Sequence, residues 1–188
     1  MSTIAKLSLA EYERIVATGV FDSPNKRRIE LIRGELREMN PIGPDHCDIV
    51  DWLNEWSLNN VPREKIRVRV QNPVAFATLD SEPEPDIVWA LRKRYSRAHP
   101  TADEILLLIE VAESSLDRDR GEKAEIYAAV GIRDYWIVNL PERTIEVHRD
   151  PEADRYRTID SYGSGEFVEP LAAPSVRLSV DELFAGPT

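Results

Sequence analysis

The sequence predicts a mixed sheet flanked by helices, of the α/β or α+β class, with a β-rich C-terminal extension. Three observations carry that reading. Glu104 to Ala112 is nearly continuous aliphatic, the signature of a central strand covered on both faces. Ile66 to Gln71 alternates apolar Ile66, Val68 and Val70 with basic Arg67 and Arg69, as a half-buried strand does. Between and around such runs lie segments with apolar residues at helical spacing, so strands and helices share one core.

In chain order, Ser8 with Glu11 three residues later forms a capping box that opens a helix through about Thr18, with Leu9, Tyr12 and Ile15 on its apolar face. Arg28 to Met39 changes period and reads as a β-hairpin with Gly34 at the tight turn. Asp45 is the expected cap of a second helix, whose stripe is Ile49, Trp52, Leu53 and Trp56; tryptophans sharing such a stripe are core rather than a base-stacking platform. After the strand at 66–71, Pro73 to Thr78 is expected as another. Asp86-Ile87-Val88-Trp89-Ala90 follows as a third beyond the acidic, proline-rich Asp80 to Pro85. Arg118 to Val130 fits a helix with Ala124, Tyr127 and Ala128 on one side and Gly131 at its C-terminal end. Asp134 to Val138 and Thr144 to Val147 read as two strands joined across Pro141, and the remainder as short strands and a turn of helix around Asp181 to Phe184.

The chain has 188 residues, enough for one domain with a sizeable core: residues 1–188 form a single unit, its core at about 27–140 and the β-rich extension at about 141–188. No window approaches the roughly 20 apolar residues that span a bilayer, and Met1 to Leu9 lacks the regions of a signal peptide, so a cytoplasmic protein with no membrane partner is expected. Cys47 is the single cysteine, which excludes an internal disulfide and a thiolate zinc cage. The formal net charge of −10 opposes sequence-independent affinity for nucleic acid, which comes from lysine and arginine neutralising phosphates. Basic residues nevertheless cluster: Lys26, Arg27 and Arg28; Arg63, Lys65, Arg67 and Arg69; Arg92, Lys93, Arg94 and Arg97. Each cluster reads either as a solvated surface or as a phosphate track.

Three side chains stand out chemically: Asp86 after Pro85, Glu110 closing the run Ile105-Leu106-Leu107-Leu108-Ile109, and Lys123 beyond it. Carboxylates hold a hard divalent cation through oxygen, a bound cation polarises a phosphate, and an amine offsets developing negative charge. If the strands of Asp86 and Glu110 are neighbours, both carboxylates reach one ion. Ala112, on the face of Glu110, supplies no amine, whereas Lys123 lies on the first turns of the next helix. A plain alternative makes Asp86 a strand start and Glu110 with Lys123 a buried ion pair; burying a glutamate at the end of such a run is costly without a cation. Asp117, Asp119 and Glu122 read as dipole partners of that helix start, with further metal ligands as the alternative, and Ser114 and Ser115 as strand terminators and helix caps rather than nucleophiles.

These residues lie in stretches that resemble the Uma-two family of restriction-endonuclease-like proteins, within the PD-(D/E)xK nuclease superfamily. The stretches are "RIELIRGEL", "VQNPVAF", "EPEPDIVWA", "LLLIEVAESSLDRDRGEKAEIYAAVGIRDYWIVNL" and "LSVDELF", and the resemblance spans roughly residues 27–185. It implies a restriction-endonuclease-like sheet, Asp86 as the motif aspartate, Glu110 as the motif glutamate and Lys123 as a lysine that has migrated from the strand to the helix. It also aligns Glu30 with an early glutamate that would add an acidic group, against the reading of a solvent-facing hairpin residue. Gln71 matches the strand motif as an accessory candidate, with a ladder-edge glutamine as the alternative. His46, near the start of the second helix, is a further accessory candidate, weighed against a surface or capping role. The implied activity is a Mg²⁺ or Mn²⁺ dependent endonuclease hydrolysing DNA, with a catalytically silent nuclease-fold module that binds a protein or nucleic acid as the alternative. Homodimerisation is left open, since the tail around Phe167, Val168 and Leu171 suits either an interface or a cover for its own sheet.

Overall fold

In a computed structural model describing residues 3–22 and 27–185, helix α1 (Leu9–Val16) begins with the expected capping box: the Glu11 amide donates to Ser8 Oγ and the Ser8 amide to the Glu11 carboxylate. Lys26 lies outside the described residues. Strands β1 (Ile29–Ile32) and β2 (Glu35–Glu38) form an antiparallel hairpin. Its turn residues Arg33 and Gly34 both have positive φ, 50° and 80°, and a Cβ at Gly34 would meet Lys6 Cβ at 2.8 Å and the Leu7 carbonyl at 2.9 Å. Glycine is required there both by conformation and by close approach.

Helix α2 (Pro44–Asn60) is capped by Gly43 and not by Asp45; Pro44 takes the first turn, where its missing N–H costs nothing, and Asp45 follows inside the helix. Strand β3 (Ile66–Val70) ends where Gln71 turns to φ 46°. The strand expected at 73–78 does not form. Its amides are taken up by loop carbonyls, Val74 to Pro83 and Ala75 to Pro100, and Ala77–Leu79 coils into a 3-10 turn, leaving one bridge between Phe76 and Ser81. Strands β4 (Ile87–Leu91) and β5 (Ile105–Ala112) follow, then an irregular helical stretch made of α3 (Leu116–Arg118), a π-turn at Asp119–Lys123 and α4 (Ala124–Ala129), closed by Gly131 at φ 83°. Strands β6 (Asp134–Asn139), β7 (Thr144–Glu152) and β8 (Arg155–Tyr162) complete the sheet, and β9 (Phe167–Val168), β10 (Leu178–Ser179) and α5 (Val180–Leu183) end the described chain.

The six-stranded sheet runs in the order β3-β4-β5-β6-β7-β8. Neighbours are antiparallel except β5 and β6, which are parallel and joined by the α3–α4 crossover, so the sheet is mixed and the class α+β. One face packs against α2 and α5 through Leu53, Trp56, Leu107, Ile109 and Trp136, with the Trp56 and Trp89 rings stacked at 5.6 Å. The other packs against α4 and the 74–79 segment through Phe76, Val88, Leu108, Tyr127 and Tyr135. No helix among the described residues is long and apolar enough to cross a membrane.

Candidate active site

Register brings the two motif acids together. β4 and β5 pair with Ile87 opposite Ile109, so one further step sets Asp86 opposite Glu110. Ile87, Ile109 and Val111 all enter the α2-side core. By the period-2 alternation, Asp86 and Glu110 therefore project together from the opposite face. Both are buried.

Each carboxylate is held by a separate set of donors. Asp86 Oδ2 accepts from the Val111 amide at 2.9 Å and lies 3.2 Å from His46 Nε2, and Oδ1 accepts from Gln71 Nε2 at 3.1 Å. Burial alone would raise the Asp86 pKa, but His46, Val111 and Gln71 outweigh it and hold the carboxyl below its ordinary value. Glu110 Oε1 accepts from Lys123 Nζ at 2.8 Å and from the Tyr127 hydroxyl at 2.7 Å. Here burial prevails: it pushes Glu110 up to about 8, with Lys123 pulling down and the Asp119 and Asp86 charges adding to the push. Burial also works against the Lys123 ammonium, yet Glu110, Glu30 and Asp119 outweigh it and raise its pKa, so the amine stays charged.

The sequence reading did not count Asp119 and Tyr127 among the site residues. Asp119 is 1% exposed, with Oδ1 3.8 Å from Lys123 Nζ and Oδ2 accepting from Ser115 Oγ at 2.5 Å. It is a member of the buried cluster rather than a surface dipole partner. The π-turn places it there, Gly121 breaking helical geometry at φ −100°, ψ −105°, and the Tyr135 hydroxyl donates to the Asp119 carbonyl at 3.0 Å. Such bulges recur at functional sites, so the glycine inside an otherwise helical stretch was the available signal. Tyr127 was assigned to an apolar stripe, and so it is; only its hydroxyl reaches Glu110.

His46 and Gln71, the accessory candidates, both meet Asp86 directly. Glu30 is buried, not solvent-facing: Arg118 approaches its Oε1 at 3.3 Å and the Glu84 amide its Oε2 at 3.4 Å. It touches neither motif carboxylate and stands one residue removed, behind Arg118. A cleft lined by Asp86, Glu110, Asp119, Lys123, Arg118 and His46 opens over the cluster.

The family profile described as "Uma2: Putative restriction endonuclease" matches residues 9–181. The chain belongs to the Uma2 family. Its fold is similar to that of a crystal structure described as "a putative nuclease belonging to DUF820 from Anabaena variabilis ATCC 29413", with a TM-score of 0.73, 17% identity, and coverage of 95% of this chain and 98% of that one. At that identity the likeness establishes the fold. No curated protein matches the chain.

For a Uma2 protein, whose family belongs with nucleases that use divalent metals, the donor set can be tested for fit. Among the described residues no three His, Cys, Asp or Glu side chains converge in metal-holding geometry. Two carboxylate oxygens of the cluster nevertheless lack a hydrogen-bond partner among them: the buried Asp119 Oδ1, and Glu110 Oε2, since both bonds to Glu110 go to Oε1. Carboxylates outnumber cations around Lys123, and the Asp119 and Asp86 charges add to the burial that raises the Glu110 pKa. Hard oxygen donors with unused lone pairs and surplus negative charge fit a divalent cation.

Proposed function

We propose that this Uma2 protein is a Mg²⁺ or Mn²⁺ dependent phosphodiesterase that cuts DNA internally, with Asp86 and Glu110 as metal ligands. The observation that carries the reading is the convergence of Asp86 and Glu110 on one sheet face beside an ammonium 2.8 Å from Glu110. A divalent cation bound by these carboxylates would polarise the scissile phosphate and lower the pKa of a bound water. Lys123 offsets charge that accumulates on the phosphate, and Arg118, part-exposed at the cleft, adds a second positive group. His46 and Gln71 orient Asp86, Tyr127 orients Glu110, and Asp119 anchors Lys123 from the other side. Glu30 acts through Arg118.

Plasmid nicking in Mg²⁺ tests the assignment. Asp86→Asn and Lys123→Met proteins, shown folded by circular dichroism, are expected to lose cutting that the parent protein performs; unchanged nicking refutes the roles given. The net charge of −10 and the lack of a converged third ligand among the described residues favour the other reading, a silent nuclease-fold module. Calorimetric titration with Mn²⁺ separates the two, because a silent scaffold has no need of a specific metal site. Homodimerisation belongs to the nuclease reading; Phe167 and Leu171, exposed beside the β9–β10 pair, are the surface it would use, and sedimentation velocity decides it.

A further inference from the structure

We infer that the β3 edge of the sheet, together with the loop after β4, is a track for the phosphate backbone of nucleic acid. The inference rests on the nuclease reading only for the identity of the polymer; the surface stands on its own geometry.

In a chain with ten more acids than bases, cations are normally matched. Arg27 pairs with Glu38, Arg33 with Glu125, Arg149 with Asp134 and Arg177 with Glu169. Arg14, Arg133 and Arg143 lie singly without such a partner among the described residues, and one region gathers several. Lys65, Arg67 and Arg69 at β3, and Arg92, Arg94 and Arg97 in the following loop, have no carboxylate within 4.0 Å among the described residues. They form one surface: the Arg92 amide donates to the Lys65 carbonyl at 2.8 Å, and Arg67 reaches the Lys93 carbonyl at 3.2 Å. Glu64 is exposed in the same stretch, and Glu104 is taken by Lys93. Positive charge therefore remains in excess.

The orientation of the row matters as much as its charge. Val68 and Val70 pack into the α2-side core, so Arg67 and Arg69 project from the opposite face, the face of Asp86 and Glu110. At about 3.3 Å per residue, Arg69 and Arg67 lie roughly 7 and 13 Å along the strand from Gln71, whose amide contacts Asp86. Because β3 is the outermost strand, nothing in the sheet covers the row's outer side.

Tyr95 indicates which part of a nucleic acid is met. Its ring has the Arg69 guanidinium at 5.2 Å and the Lys93 ammonium at 5.0 Å, and its hydroxyl donates to the Leu91 carbonyl at 2.9 Å. A ring occupied by two cations serves to hold them in place and is not offered to a base. Contact is then with phosphates, independent of sequence and strongly salt dependent.

Fluorescence anisotropy of a labelled duplex in EDTA, across about 50 to 200 mM salt, tests the track without any cutting. The parent protein is expected to bind, and the Arg92→Gln/Arg94→Gln/Arg97→Gln variant to lose at least about tenfold in affinity, with its salt slope shallower by roughly 0.9 per phosphate contact removed. An Arg155→Gln/Arg157→Gln control, two exposed β8 residues paired with Asp154 of the β7–β8 turn and Glu152 at the end of β7, should bind like the parent. Equal binding by the triple variant, equal loss in the control, no binding by the parent, or binding to anionic vesicles in place of DNA each overturns the inference. Nicking in Mg²⁺ is scored separately: Lys123→Met inactive with the triple variant binding normally removes the track and leaves the active site, whereas a working track on a protein that never cuts removes the nuclease reading alone.

Discussion

Strand β5 divides its side chains between two environments. Leu107, Ile109 and Val111 enter an apolar layer with α2, where the polar contact of the stacked tryptophans is a single hydrogen bond from Trp89 to Ser57. Leu108, Glu110 and Ala112 face the other way, into a layer that mixes aliphatic and aromatic residues with Asp86, Glu110, Asp119 and Lys123. Backbone, register and burial are shared, so the difference lies in the side chains alone. The first layer is what area burial would select for stability. Buried charges in the second are a poor route to stability, since desolvation opposes their mutual attraction, and their presence argues for chemistry.

The sharpest way to break that contrast is to remove the charge. Lys123→Met is expected to lower nicking by about 10²–10³-fold and, by stranding Glu110, to cost about 3–5 kcal/mol in urea unfolding. Adding Glu110→Gln should restore most of the stability and none of the cutting; a double variant as unstable as the single would mean the polar layer is structural after all. On the apolar side, Ile109→Ala should cost about 2–5 kcal/mol through lost burial and a cavity, while cleavage per folded molecule, measured below the unfolding transition, stays at the parent level. Tyr127→Phe sits between the layers, keeping the ring and deleting the hydroxyl that meets Glu110 at 2.7 Å. About 1–3 kcal/mol of stability should go with it, together with a fall in turnover rather than in substrate affinity.

The smallest effect is a pH dependence. Glu82 is buried beside the hairpin with His99 Nε2 no nearer than 3.9 Å to its Oε1, Oε2 has no hydrogen-bond partner among the described residues, and burial followed by the Glu13 charge raises its pKa from 4.5 to about 7. The folded chain thus keeps a proton that the unfolded chain releases near 4.5. The stabilisation is complete below that pH and is lost as pH climbs through 7. Glu82→Gln should therefore be more stable than the parent at pH 8, by about 1 kcal/mol after allowance for solvent screening, and no more stable at pH 4. Thermal melts at the two pH values check the sign, and an equal shift at both would contradict it.

Much of this was legible in the residues because the signals are short-range. The Ser8–Glu11 capping box, the Arg33-Gly34 turn, the aliphatic run of β5 and the Gly131 helix end each depend on neighbours a few positions apart. Where a local signal was ambiguous the reading failed: Asp45 looked like a cap beside the Gly43-Pro44 that does the work, and the apolar residues of 73–78 had loop carbonyls, not a strand, to bond.

By itself the sequence determined the elements and their apolar faces, and it singled out Asp86, Glu110 and Lys123, because propensity, periodicity and burial cost act residue by residue. Tertiary structure decided who stands beside whom. His46 reaches Asp86 across 40 residues and Val111 across 25, Tyr127 reaches Glu110 across 17, and Asp119 turns inward within a crossover that bends at Gly121. Those contacts follow from strand register and one irregular turn, quantities set by how the whole sheet packs and written in no single stretch of chain.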